Sequence, residues 1–173
     1  MTARAHANVR TCLAAGILTA ALFAGGETAA QMPAQPLLTI EGTSGPSSLT
    51  KTISLTREQI AALPQRTITT STPWTQGKSE FKGVALRDLL DHASILGDRL
   101  KVVAINNYAS DMKLSDVAQH AVVAHEMNGK PMPVREKGPL WIVFPFDDHP
   151  ELKSEQFYAR SVWQVRKIVV LSE

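Results

Sequence analysis

The chain has 173 residues, with 18 Lys and Arg against 16 Asp and Glu and a formal net charge of +2 at pH 7. With Arg4, Arg10 and Glu27 of residues 1–30 set aside, the count is 16 against 15, a balance that leaves no electrostatic footprint for nucleic acid or an anionic membrane. The one cysteine, Cys12, lies in that same N-terminal stretch, so residues 31–173 contain no thiol and form no disulfide among themselves.

Arg4 and Arg10 precede and open an apolar run from Cys12 to Gly26, and Thr28-Ala29-Ala30 sets small residues ahead of Gln31. This pattern predicts a cleaved signal peptide over residues 1–30. The apolar run is shorter than the ~20 residues of a spanning helix, so the expected location is the periplasm. Residues 31–36, with Pro33 and Pro36, predict a mobile leader. Residues 37–173 carry no repeat or linker and predict one α+β domain, mixed in composition, in which strands predominate.

Within it, Leu37–Glu41 and Lys51–Leu55 predict strands around a Gly/Ser/Pro loop over 42–48. Thr56 stands where an N-cap belongs, ahead of a short helix over 57–63 that Pro64 closes. Residues 66–71 alternate and are rich in Thr and Ile, predicting a strand. After an expected turn at Lys82-Gly83, Leu86, Leu89, Leu90 and Ala93 recur at helical spacing. Residues 101–105 read as a buried strand, and Ser115 as the cap of a helix over 116–120. Ala121–Met127, Asn128-Gly129 and a strand resuming near Met132 predict a hairpin, because Asn-Gly takes the positive φ angles of a type I′ turn. An apolar run over 140–146 and a terminal strand over 165–171 complete the chain.

Nucleotide cradles, Gly-x-Ser-x-Gly elbows and His-Glu-x-x-His helices do not occur in the sequence. Asp147-Asp148-His149 before Pro150 reads as a solvated loop before it reads as a cation site. His120 and His125 are spaced to fall on opposite faces of a strand, which separates them as ligands. No catalytic and no metal-ligating residue is therefore predicted. Aromatic residues cluster at expected loop positions: Trp74 after a strand end, Tyr108 after Asn106-Asn107, and Tyr158, Arg160 and Trp163 ahead of the last strand. Indole and phenol rings with amide neighbours suit a flat heteroaromatic ligand, while core or rim packing accounts for any one of the three tryptophans alone.

Phe81-Lys82-Gly83-Val84-Ala85-Leu86-Arg87-Asp88-Leu89-Leu90 resembles the F-x-G-V-x-L-x-D-L-L segment of the sulfite-oxidase-type (SUOX fold) molybdopterin-binding domain. In the same order, Asn106-Asn107-Tyr108 stands at the family's D-G-Y, Asn128–Pro133 at N-G-x-P-L-P, Gly138–Pro145 at G-P-x-R-x-V-x-P and Arg160-Ser161-Val162 at R-S-V-K-W. The resemblance implies that fold across residues 37–171. The family's molybdenum-binding cysteine falls, counting back from Phe81, on Thr70 or Ser71, and a neutral alcohol is a poor substitute for a soft thiolate. Trp141 stands where the family often has Arg, and Trp163 where it often has Lys.

These departures are similar to those of PruR-type periplasmic proteins, which bind unconjugated reduced pterins such as tetrahydromonapterin. What this resemblance implies is a non-catalytic pterin-binding regulator of an inner-membrane diguanylate cyclase/phosphodiesterase (GGDEF/EAL) protein, acting on cyclic di-GMP and biofilm formation. It implies stacking surface from Trp74, Tyr108, Trp141 and Trp163, edge hydrogen bonds from Thr70, Ser71, Asn107 and Arg160, and contributions from Tyr158 and Ser161. It speaks against the molybdenum cofactor as the ligand. A molybdopterin-dependent oxidoreductase and a ligand-free protein-interaction domain stand as alternatives.

Overall fold

The computed structural model describes residues 35–44 and 49–172. The expected signal peptide, residues 31–34 of the leader and residues 45–48 of the first loop lie outside the described residues.

β1 (Leu38–Ser44) and β2 (Leu49–Leu55) pair antiparallel, with Ile40 opposite Ile53. Thr56 then caps α1 (Arg57–Ala62) through a reciprocal box: Gln59 N–H donates to Thr56 Oγ1, and Thr56 N–H donates to Gln59 Oε1. Such a cap stabilises a helix end by about 1 kcal/mol, and Leu63-Pro64 ends the helix after under two turns. β3 (Gln65–Ser71) and β4 (Lys78–Ala85) form the next hairpin, and α2 (Leu86–Ala93) follows β4 directly, burying Leu86, Leu89, Leu90 and Ala93 as their spacing requires. β5 (Arg99–Ala104) turns through Asn106-Asn107 into β6 (Ala109–Lys113), which runs into the single turn α3 (Leu114–Val117). β7 (Val122–Met127) and β8 (Lys130–Pro131) are joined by Asn128 at φ 52° and Gly129 at φ 72°, the turn expected of Asn-Gly. β9 (Trp141–Val143), a short 3-10 turn, α4 (Glu155–Arg160) and β10 (Val165–Leu171) complete the described order.

Two sheets result. The first has the order β2-β1-β10-β5-β6, with β1 and β10 parallel and the other pairs antiparallel. The second has the order β3-β4-β7-β8, with β9 also on β7. Leu38, Ile40, Leu100, Val102, Ile168 and Val170 of the first sheet pack in one core with α2 and with Val84, Val123 and Ile142 of the second. The opposite face of the second sheet buries Ile68, Phe81, Val122, Ala124, Trp141 and Val143 in a smaller core. Burial on both faces explains why residues 121–124 and 140–143 are apolar without alternation.

Several expectations are corrected. Lys82-Gly83 is not a turn but lies inside β4, where the ladder to β7 shifts register. A Cβ on Gly83 would run into the Val123 carbonyl and the Ala124 backbone, so this glycine answers to a close approach of two strands. α3 starts at Leu114 without a side-chain cap, and Ser115 Oγ donates to Asp116 Oδ1. His120 precedes β7, so it shares no strand with His125; its ring lies 4.3 Å from that of His149. Tyr158 and Arg160 belong to α4 and not to a loop.

Candidate functional site

Three connections converge beside the end of β5. The β3–β4 loop brings Trp74, the β5–β6 turn brings Asn106 and Tyr108, and α4 with the segment after it brings Tyr158, Ser161 and Trp163. They enclose a cavity of about 350 Å³ floored by Ala104, Ala159 and Val162, within the roughly 300–1,000 Å³ of small-molecule sites.

Each wall has a local cause. Asn107 takes φ 67°, and its N–H donates to the Ala104 carbonyl, while Asn106 Oδ1 accepts the Tyr108 N–H, so the turn aims Tyr108 back across the cavity. Tyr108 Oη then donates to the Ala159 carbonyl of α4 at 3.1 Å. Trp74 N–H donates to Thr72 Oγ1, which fixes the loop just past β3. The rings meet edge to face: Trp74 lies 5.4 Å from Trp163 and 5.9 Å from Tyr158 between centroids. Trp74, Tyr158 and Trp163 are half-buried, and among the described residues no Lys, Arg, His, Asp or Glu lines the cavity.

The structure therefore brings Trp74, Tyr108, Tyr158, Ser161 and Trp163 of the expected set together. The remaining five stand elsewhere. Trp141 is fully buried behind the wall, edge to face with Phe81 at 5.3 Å, and its Nε1–H donates to the Ser161 carbonyl. Lys137 Nζ lies 5.7 Å from the Trp141 ring centroid and 5.9 Å from that of Trp163. Arg160 pairs with Asp116 at 2.9 Å and covers the Phe157 ring. Asn107 Oδ1 accepts from Arg166 Nη2 at 2.7 Å, and it is Asn106 that reaches the cavity.

Thr70 and Ser71 are committed to Asp147. The Asp147 N–H donates to Thr70 Oγ1 at 3.1 Å, and the Ser71 N–H and Oγ–H donate to the Asp147 carboxylate at 2.9 and 2.6 Å. Lys153 Nζ adds a bond at 3.1 Å. The Ser71 hydroxyl, then the Ser71 N–H and then Lys153 hold the Asp147 carboxyl well below the usual carboxylate range. The pattern of 147–149 predicts a solvated loop; apart from Lys153, the partners of Asp147 lie far away in sequence, Ser71 at 76 positions and Thr70 at 77, and no local signal announces them.

The profile of the oxidoreductase molybdopterin binding domain matches residues 38–147. The chain belongs to this family. Tyr158, Ser161 and Trp163 follow the matched span. No curated protein matches the chain. Among solved structures, the sulfane dehydrogenase SoxCD from Paracoccus pantotrophus is similar, with a TM-score of 0.61 and 20% sequence identity. The match covers 80% of this chain but 38% of that one, and at this identity the likeness is one of fold.

The family is one of molybdopterin binding, so a pterin-type group is what the site has to be weighed against. The aromatic cavity, about 350 Å³ with apolar walls, has the size and lining that a flat ring requires. The metal end fits less well: residues 31–173 contain no thiol, Thr70 and Ser71 serve Asp147, and no three His, Cys, Asp or Glu converge among the described residues.

Proposed function

We propose that the chain is an exported, non-catalytic member of its family that binds an unconjugated reduced pterin, such as tetrahydromonapterin, in the cavity lined by Trp74, Tyr108, Tyr158 and Trp163. In this reading the loaded protein regulates the periplasmic region of an inner-membrane protein with diguanylate cyclase and phosphodiesterase domains, and through it cyclic di-GMP and biofilm formation. The observation that carries the reading is a cavity with four aromatic walls and no charged lining residue. Aromatic faces take a flat ring, Asn106 and Ser161 supply polar groups for its edge, and the described lining residues carry no charge. Binding can act on a partner only if the loaded and empty forms differ in affinity for it, so ligand and partner binding are reciprocally coupled.

Calorimetric titration with tetrahydromonapterin under anaerobic conditions tests the ligand. The expected result is saturable one-to-one binding that Trp163→Ala weakens about tenfold to a hundredfold, the loss of one aromatic stacking partner. Absence of binding by any reduced pterin overturns the reading. A second reading, a molybdopterin-dependent oxidoreductase, has the family match in its favour. Stoichiometric molybdenum in protein matured in a cofactor-competent host would put it in place of the first.

A further inference from the structure

We infer that Asp147 is a positioning residue for the aromatic cavity, its carboxylate gripping the neck of the β3–β4 loop and so holding Trp74 against Tyr158. The ligand named in the test rests on the pterin-binding reading; the latch itself stands on geometry.

Ser71 and Lys78 are the last paired residues of the β3–β4 hairpin, and the segment between them carries Trp74. Both contact the same carboxylate. Ser71 donates its N–H to Oδ2 and its hydroxyl to Oδ1, and Lys78 Nζ lies 3.8 Å from Oδ2. In the other direction, the Asp147 N–H donates to Thr70 Oγ1, so main chain and side chain bind the hairpin reciprocally. Thr70 is fully buried and the Asp147 side chain is 15% exposed, which shelters these bonds from competing water.

The grip reaches the cavity by two routes. From Ser71, the loop is braced within itself: Trp74 N–H donates to Thr72 Oγ1, and Thr72 Oγ1 lies 3.0 Å from Thr75 Oγ1. From Asp147, the adjacent Phe146 is buried with its ring 5.3 Å from that of Tyr158, which in turn meets Trp74 at 5.9 Å. Asp147, Ser71, Trp74, Tyr158 and Phe146 thus form a closed circuit, in which two aromatic walls are fixed by one carboxylate that does not itself line the cavity.

Asp147→Asn tests the latch because it keeps the shape and removes the charge. Trp74, Trp141 and Trp163 are the chain's only tryptophans and share one aromatic cluster, so intrinsic emission reports on this region. The expected result is a shifted emission spectrum in the ligand-free protein, a retained cooperative melt, and tetrahydromonapterin affinity reduced about tenfold, as loosening a preorganised wall predicts. Ser71→Ala keeps the carboxylate and removes one donor, and its losses should be smaller but in the same direction. Should Asp147→Asn fail to fold, Ser71→Ala decides the matter. Wild-type emission and affinity in both folded variants, or in Ser71→Ala alone where Asp147→Asn does not fold, overturn the inference. A wild-type protein that binds no pterin removes the proposed ligand, and the emission comparison then judges the latch independently.

Discussion

Two tryptophans that sit opposite each other in an antiparallel bridge have different fates. Trp141 is wholly buried with its indole N–H bonded to Ser161, whereas Trp163 is half-buried in the cavity wall. Truncating the first leaves a void that the surrounding core cannot close, so Trp141→Ala should cost about 3–5 kcal/mol. Trp163→Ala should cost less, about 1–2 kcal/mol. Urea unfolding of the two variants measures the difference, and equal losses would make Trp163 a core residue with no ligand-facing role. In sequence the two residues looked alike, each a tryptophan where the resemblance leads to the expectation of a cation. Their difference lies in side-chain direction. The same holds for Asn106 and Asn107: one reaches the cavity, and the other takes the positive φ and binds Arg166.

Elements whose cause is local were legible, and those whose cause is distant were not. The Thr56 cap and the Asn128-Gly129 turn depend on residues within a few positions, and they and β10 over Val165–Leu171 stand where the sequence put them. β4 was hidden because Lys82-Gly83 resembles a turn, while the glycine answers to Val123 on another strand. β6 was hidden because only Ser110 and Met112 face inward in a short polar stretch. α4, at six residues, is too short to display a helical period. Gly83→Ala should therefore destabilise by about 1–3 kcal/mol or more through forced strand separation. A thermal melt unchanged from wild type would show that the β4–β7 approach yields without cost.

At the scale of the molecule, stability should fall with acidification in two stages. Gln65 Nε2 donates to the Ile60 and Leu63 carbonyls, so its Oε1 accepts from His125 Nε2 at 2.8 Å and fixes the Nε2–H tautomer. Burial pushes the His125 pKa below the ordinary 6.5, and burial followed by the neighbouring His149 does the same to His120. A group whose folded pKa is lowered contributes fully above its unfolded value and loses that contribution as pH falls toward the folded one. The histidines thus define a first stage beginning near pH 6.5. Asp147, depressed by Ser71 and Lys153 and facing Lys78, defines a second that begins near 3.8. Melts from pH 8 to pH 2 should show His125→Gln reducing the first decline and Asp147→Asn the second. Unaltered slopes in both variants would remove these groups from the acid response.

The residue pattern alone carries the α+β class, several of the strands, the Thr56 cap, the Asn128-Gly129 turn and a set of motifs whose order fits the family. It also determined that residues 31–173 offer no thiol, since composition needs no coordinates. Long-range packing sets which aromatics share a cavity and makes Thr70 and Ser71 answer to Asp147. The physical reason is that periodicity and turn chemistry act over a few residues. The cavity joins Trp74 on the β3–β4 loop, Tyr108 after the β5–β6 turn and Trp163 beyond α4, and the latch spans 76 positions. Side-chain direction at such separations is set by how two sheets pack, and no local pattern encodes it.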